Sequence, residues 1–170
     1  MINASTMDEP LTRNASDECD VVELVDGRIY LNARSRPGKK QRAYAFSDDG
    51  GHSWSEVKYA PDQPEPSCDG ALIRLSDTGH FQKNRVLVSC PANPNARDQM
   101  TIRLSYDECR TWPVAKVLNA DYSGYSDLAV TRDGTVLCLY ETHGCAKITL
   151  ARFNIEWLTD GKDSLRHKQP

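Results

Sequence analysis

Ser47-Asp48-Asp49-Gly50-Gly51-His52-Ser53-Trp54 and a second copy, Ser105-Tyr106-Asp107-Glu108-Cys109-Arg110-Thr111-Trp112, decide the fold. Each copy joins short hydroxyls, an Asp and a turn Gly or its replacement to a Trp. An Asp carboxylate and flanking hydroxyls can bind the turn's own backbone N–H groups, and Gly accepts positive φ. The Trp is left to pack against the sheet the turn belongs to. Working outward, strand-like runs precede each copy. Val21–Leu24, Arg28–Arg34 and Arg42–Ser47 lead into the first, and Ala71–Leu75, Arg85–Cys90 and Met100–Ser105 lead into the second. A further short run follows each turn, at Ser55–Tyr59 and Val114–Leu118. Four antiparallel strands repeated as a block make the blade of a β-propeller.

A third block starts with Asp127–Thr131, Thr135–Glu141 and Ala146–Phe153, then runs out through Trp157. It lacks a fourth strand. No segment holds a 3.6-residue apolar period, so the fold class is all-β. Three blades cannot close a ring, and the expectation is that the chain is part of a longer protein. The expected organisation is a polar segment over 1–15, a partial propeller over 16–158 and a polar tail over 159–170.

The composition suits a soluble globular chain, with 39% hydrophobic and 26% charged residues. A formal charge of −3 and scattered Lys and Arg give no reason to expect nucleic acid as a partner. No apolar run approaches the roughly 20 residues of a membrane span. Met1 to Arg13 lacks the basic and then apolar pattern of a signal peptide. Localisation is therefore open between a cytoplasmic protein and one whose start lies upstream, with a secreted or periplasmic parent. The six cysteines, at 19, 68, 90, 109, 138 and 145, contain no CxxC pair, and Cys90 and Cys138 read as buried small hydrophobes. His52, His80, His143 and His167 have no metal-ligand spacing, and no metal or cofactor is expected. Asn3 and Asn14 begin N-x-S sequons, a pattern common by chance.

The Ser-to-Trp turns resemble the Asp-box of sialidases, a motif shared with other propellers. The first copy fits fully, whereas the second has Cys109 where Gly is expected. Other segments carry a more specific resemblance to the sialidase family. Asp17-Glu18-Cys19-Asp20 with Leu31-Asn32-Ala33-Arg34 is similar to the family segment bearing two active-site residues. Pro94-Asn95-Ala96-Arg97, Gly124-Tyr125-Ser126-Asp127-Leu128 and Leu139-Tyr140-Glu141 resemble three further segments, in the family's order. The resemblance implies a six-bladed propeller, about three blades of it in this chain. It implies an exo-α-sialidase acting on sialylated glycoconjugates, with Tyr125 as nucleophile and Glu18 as the carboxylate that activates it. Arg34 and Arg97 would bind the substrate carboxylate, and Glu141 would orient a further arginine. The family's first triad arginine and its leaving-group acid have no counterpart in this sequence.

The implied chemistry is coherent. The anomeric carbon of sialic acid bears a carboxylate, which would repel an ionised Asp or Glu nucleophile. A neutral tyrosine escapes that repulsion but needs a base to take its proton. Tyrosine-nucleophile sialidases accordingly stand outside the two-carboxylate pattern of glycosidases. Taken singly, each residue has a plainer reading: Tyr125 as an inter-strand tyrosine, Glu18 as a surface carboxylate, and Arg34, Arg97 and Glu141 as solvated or paired charges. A non-catalytic Asp-box module, lectin-like or protein-binding, and a glycosidase for another acidic sugar are the competing functions.

Overall fold

The computed structural model describes residues 16–36 and 38–168. The segment 1–15, with Asn3 and Asn14 of the two sequons, and the last two residues of the chain lie outside them. Three antiparallel sheets make up the described chain. The first runs β1 (Ser16–Glu23), β2 (Ile29–Ser35), β3 (Gln41–Ser47) and β4 (Lys58–Pro64) in simple meander order. The second repeats this with β5 (Ala71–Ser76), β6 (Arg85–Pro91), β7 (Asp98–Ser105) and β8 (Val114–Tyr122). The third holds β9 (Ser126–Val130), β10 (Val136–Thr142) and β11 (Lys147–Phe153). A single helical turn, α1 (Ile155–Leu158), follows, capped by Asn154, which accepts a hydrogen bond from Trp157 N at 2.9 Å.

The sheets stack as blades because their faces are apolar. Every position of β6 is buried, the mark of a strand covered on both sides. The alternation of side chains sends Val86 and Val88 one way and Leu87 the other. Val86, Val88, Leu72 and Trp112 meet Val22, Leu24 and Tyr30 of the first blade. Leu87, Met100, Ile102 and Leu104 meet Leu128, Val136, Cys138 and Tyr140 of the third. Each such side chain, fully buried, contributes about 1.5–3 kcal/mol.

Both box turns form the bonds their sequence implies. Ser53 N and Oγ donate to Asp49 at 2.8 and 2.6 Å, and Gly51 N donates to Ser47 Oγ at 2.8 Å. In the second turn Thr111 N and Oγ1 donate to Asp107 at 2.9 and 2.6 Å, and Cys109 N donates to Ser105 Oγ at 3.0 Å. Gly51 has φ of 92°, and Cys109 takes the same left-handed region at 64°. The thiol there is buried among Tyr30, Trp112 and Val86, packing that offsets the conformational strain. Glu108, on the same turn, ties two blades together. It accepts Arg74 Nη2 at 2.7 Å and the Val25 N–H at 2.9 Å.

The structure departs from the sequence reading in three places. The fourth strand of the first blade is Lys58–Pro64 rather than Ser55–Tyr59. It carries Pro61 and Pro64, which an outer edge strand tolerates because its outward N–H groups need no partner. The first strand starts at Ser16, so the acidic residues 17–20 are strand, with an irregularity between Ser16 and Cys19. Residues 159–168, read as a polar tail, are docked. Asp163 is buried and accepts Arg85 Nε and Nη2, each at 2.8 Å, and the Tyr106 hydroxyl at 2.9 Å. All six cysteines are free, with Cys68, Cys90, Cys109 and Cys138 buried. Among the described residues no helix is long and apolar enough to cross a membrane.

Burial pushes the Asp163 carboxyl up, but the bonds from Arg85, Tyr106 and Lys83 outweigh it, and its pKa is held well below the carboxylate range. Its stabilisation is therefore present above the unfolded value, near 3.9, and is lost as pH falls below it. Asp163→Asn is expected to cost about 3 kcal/mol at pH 7, because buried Arg85 loses its counter-charge. Urea denaturation across pH 2–7 checks this, with the mutant showing the flatter acid limb.

Candidate active site

The first strand of each blade starts on one rim of the stack, and the antiparallel second strand returns to it. That rim collects the candidate residues. Glu18 lies at the start of β1 and Tyr125 directly before β9. Arg34 and Glu141 lie near the ends of β2 and β10. Glu18 and Arg34 are 16 positions apart, as are Tyr125 and Glu141, so the first and third blades place their pairs alike. Arg97 comes from the loop before β7, whose carbonyl accepts Ser123 N–H at 2.9 Å.

The structure brings the other four together around Tyr125, with Glu18, Arg34 and Arg97 at its side chain and Glu141 at its backbone N–H. Tyr125 Oη donates to Glu18 Oε1, although the two residues are 107 positions apart in the chain. Arg34 Nη1 pairs with Glu18 Oε2 and also donates to Tyr125 Oη at 3.1 Å. The Arg34 Nε donates to Ser67 Oγ at 3.1 Å and lies 3.7 Å from Asp17. The Arg97 guanidinium stands 5.3 Å from the centroid of the Tyr125 ring, in cation–π geometry. Arg97 forms no ion pair among the described residues, in contrast to Arg34.

Glu141 has a local task. Its Oε2 accepts the Tyr125 N–H at 2.9 Å, while the backbones of Glu141 and Tyr125 continue the β9–β10 ladder. Gly124 makes this possible, since a Cβ there would lie 2.2 Å from Glu141 Oε2. The hollow beside the phenol is lined by Asp69, Tyr125, Ser126, Asp127, Tyr140 and Glu141.

Three charges set the proton affinities. The hydrogen bond to Glu18 raises the Tyr125 pKa, burial adds to this, and Arg34 opposes it without prevailing. The phenol is thus protonated at neutral pH, with its proton directed at a carboxylate. Burial pulls the Arg34 pKa down, but the bond and field of Glu18 more than compensate. The Asp69 carboxyl is pushed up by burial, against the Gly70 N–H and Arg42, with Glu18 and Asp20 adding to the rise.

Sequence reasoning missed Ser67, Asp69, Tyr122 and Cys145. Asp69 and Ser67 sit in the connection to β5, where nothing in the sequence separates a site loop from an ordinary one. Tyr122 Oη lies 3.0 Å from Cys145 Sγ, which donates to Glu141 Oε2 at 3.3 Å. Among the described residues no group of His, Cys, Asp and Glu could hold a metal ion.

Comparison with known proteins agrees with this architecture. The BNR repeat-like domain family matches residues 3–138. A sialidase of Micromonospora viridifaciens is 39% identical over 145 residues, covering 84% of this chain and 22% of that protein. Among solved structures, Hadza microbial sialidase Hz136 superposes with a TM-score of 0.75 at 30% identity, covering 85% of this chain and 28% of its own. A leech intramolecular trans-sialidase reaches 0.77 at 22% identity, covering 92% and 26%, a likeness of fold. The chain therefore spans about a quarter of the length of these proteins.

Gly124→Ala is expected to displace the Glu141 carboxylate and free the Tyr125 amide. Hydrogen exchange at that amide should then accelerate at least about tenfold, the loss of one charge-assisted bond. Glu141→Ala should do the same without the steric change.

Proposed function

The chain belongs to the BNR repeat-like domain family, and from that premise we propose that it forms the nucleophile-bearing part of an exo-α-sialidase. Its reaction is the retaining hydrolysis of terminal sialic acid from glycoconjugates. One observation carries this reading: the Tyr125 O–H points at Glu18 between two arginines. A lectin would need arginines for a carboxylate ligand, but it has no use for a phenol bound to a base.

Each residue then has a physical role. Arg97, free of any acidic partner among the described residues, takes the substrate carboxylate through charge-assisted hydrogen bonds. Arg34 is already committed to Glu18, so it contributes its field and its remaining donor edge. Tyr125 Oη attacks the anomeric carbon as its proton passes to Glu18 Oε1. The glycosidic bond breaks, and a separate general acid protonates the departing oxygen. Water then attacks the anomeric carbon on the same face that the aglycone left, giving its proton to the deprotonated general acid, while the phenol departs and regains one from Glu18. Two displacements preserve the anomeric configuration. The raised proton affinity of Tyr125 fits this sequence, because no resting phenolate confronts the substrate's carboxylate.

The test is hydrolysis of a fluorogenic sialoside. By the family resemblance, the leaving-group acid and one arginine have no counterpart in this sequence. The 170-residue chain is therefore expected to be at least about 10²-fold slower than a version extended upstream to include them. In the extended version Glu18→Gln should lose about 10²–10⁴-fold in kcat, and Tyr125→Phe should lose at least as much. Full activity in Tyr125→Phe would remove the nucleophile assignment.

A further inference from the structure

Away from the rim, the buried charged residues of the described chain are Arg42, Glu65, Arg85, Arg103 and Asp163. Arg85 and Asp163 pair with each other. Arg42 and Arg103 then face Glu65 alone, which leaves one positive charge in excess. Arg42 has no exposed surface and forms no ion pair among the described residues. Its Nε donates to Asn32 Oδ1 at 2.6 Å and its Nη1 to the Cys68 carbonyl at 2.9 Å, while its Nη2 is buried with no hydrogen-bond partner. An arginine can only donate, so it fixes the orientation of its neighbours. Asn32 must turn its oxygen to Arg42, and its Nδ2 therefore donates to Tyr30 Oη at 3.2 Å and to Gln63 Oε1 at 3.0 Å. Gln63 must then turn its Nε2 elsewhere, and that nitrogen is a second buried donor with no partner. Asn32 thus holds both side chains. Glu65 is committed to other groups: Oε1 accepts Ser35 N and Oγ, and Oε2 accepts Cys68 N at 2.7 Å. Arg103 donates its Nε to the Asp62 carbonyl at 3.0 Å and meets no carboxylate either.

We propose that Arg42 Nη2 and Gln63 Nε2 bind a small monovalent anion, chloride, between the first two blades. Both groups are donors, which suits a ligand that only accepts. A water that accepted from both would still have two hydrogens to place, and the one buried side-chain oxygen without a partner among the described residues is Asp98 Oδ1, in the second blade beside Asn93. Burying a cation without a counter-charge is costly, and one anion removes the excess charge. The site has a consequence for the rim. Arg42 holds the Cys68 carbonyl and Glu65 the Cys68 N–H. On either side of Cys68, Ser67 accepts Arg34 Nε and Asp69 lines the hollow beside Tyr125. The connection is tightly seated, since a Cβ on Gly70 would lie 2.4 Å from the Ser89 carbonyl oxygen and 3.3 Å from Arg42 Nη1. An anion that holds Arg42 in place therefore holds the connection that carries Ser67 and Asp69 to the site. None of this depends on the sialidase reading.

The test uses the 170-residue chain and needs no glycan. Thermal unfolding is followed in sodium gluconate and in sodium chloride at equal ionic strength. Chloride is expected to raise Tm by about 3–6 °C, because a ligand bound only by the folded state stabilises it by mass action. Gln63→Glu replaces the amide nitrogen with a carboxylate oxygen, a built-in partner for Arg42 Nη2. In gluconate it should reach the Tm that wild type shows in chloride, and chloride should then add nothing. General salt effects would act on the variant and the wild type alike. Wild-type crystals soaked in sodium bromide should show an anomalous peak within hydrogen-bonding reach of Arg42 Nη2 and Gln63 Nε2, and this measurement decides even if the variant fails to fold. A wild-type Tm that ignores chloride, an equal chloride response in Gln63→Glu, or water density without an anomalous signal at that position each overturns the proposal.

Discussion

Sheets that are apolar on both faces cannot stand alone, and this constraint governs the molecule. The middle blade shows it most clearly, with Val86 and Val88 committed to one neighbour and Leu87, Ile102 and Leu104 to the other. Burial on both sides fixes the rotation of each blade against the next. It also brings the starts of β1, β5 and β9 side by side, since these are the first strands of successive blades. Charged staples then lock the stack at its periphery. Glu108 holds Arg74 within its own blade and the Val25 amide of the neighbouring one, and Asp163 anchors the final segment to Arg85.

The chemistry on the rim depends on that rigidity. Tyr125, Glu18 and Arg34 share their hydrogen bonds in a closed triangle, so moving one corner misplaces the others. The triangle also decides where the proton rests. Glu18 stabilises the neutral phenol more than Arg34 stabilises its anion, and the phenol keeps its proton at neutral pH. A shallow, solvated rim would weaken both effects. The partial burial of Arg34 keeps them effective without the full desolvation cost of a core ion pair.

Much of this was legible in the sequence because it is local. The box turns, the alternating runs of β2, β3 and β7, and the order of Glu18, Arg34, Arg97, Tyr125 and Glu141 all leave marks on short stretches of chain. What was not legible is long-range burial of charge. Arg42, Glu65 and Arg85 are types that normally face water, yet all three are buried, each held by partners distant in the chain. The docking of residues 159–168 went unseen for the same reason: an Asp in a polar stretch gives no hint that an arginine 78 positions earlier awaits it. The fourth strand of the first blade was misplaced because its prolines argue against a strand, and only its edge position permits them.

The equal spacing of Glu18 with Arg34 and of Tyr125 with Glu141 carries an evolutionary consequence. Two blades present the same pair of sockets to one rim, and they fill them with different chemistry: carboxylate and arginine in one, phenol and carboxylate in the other. The intervening blade offers Asp69 at the comparable place before its first strand. A duplicated scaffold of this kind separates inheritance of shape from inheritance of reactivity. Point substitutions at a socket can change what the rim binds or attacks without disturbing the packing that holds the blades together. Proteins built this way can diverge in substrate while remaining superposable, because selection on the rim and selection on the faces act on different residues.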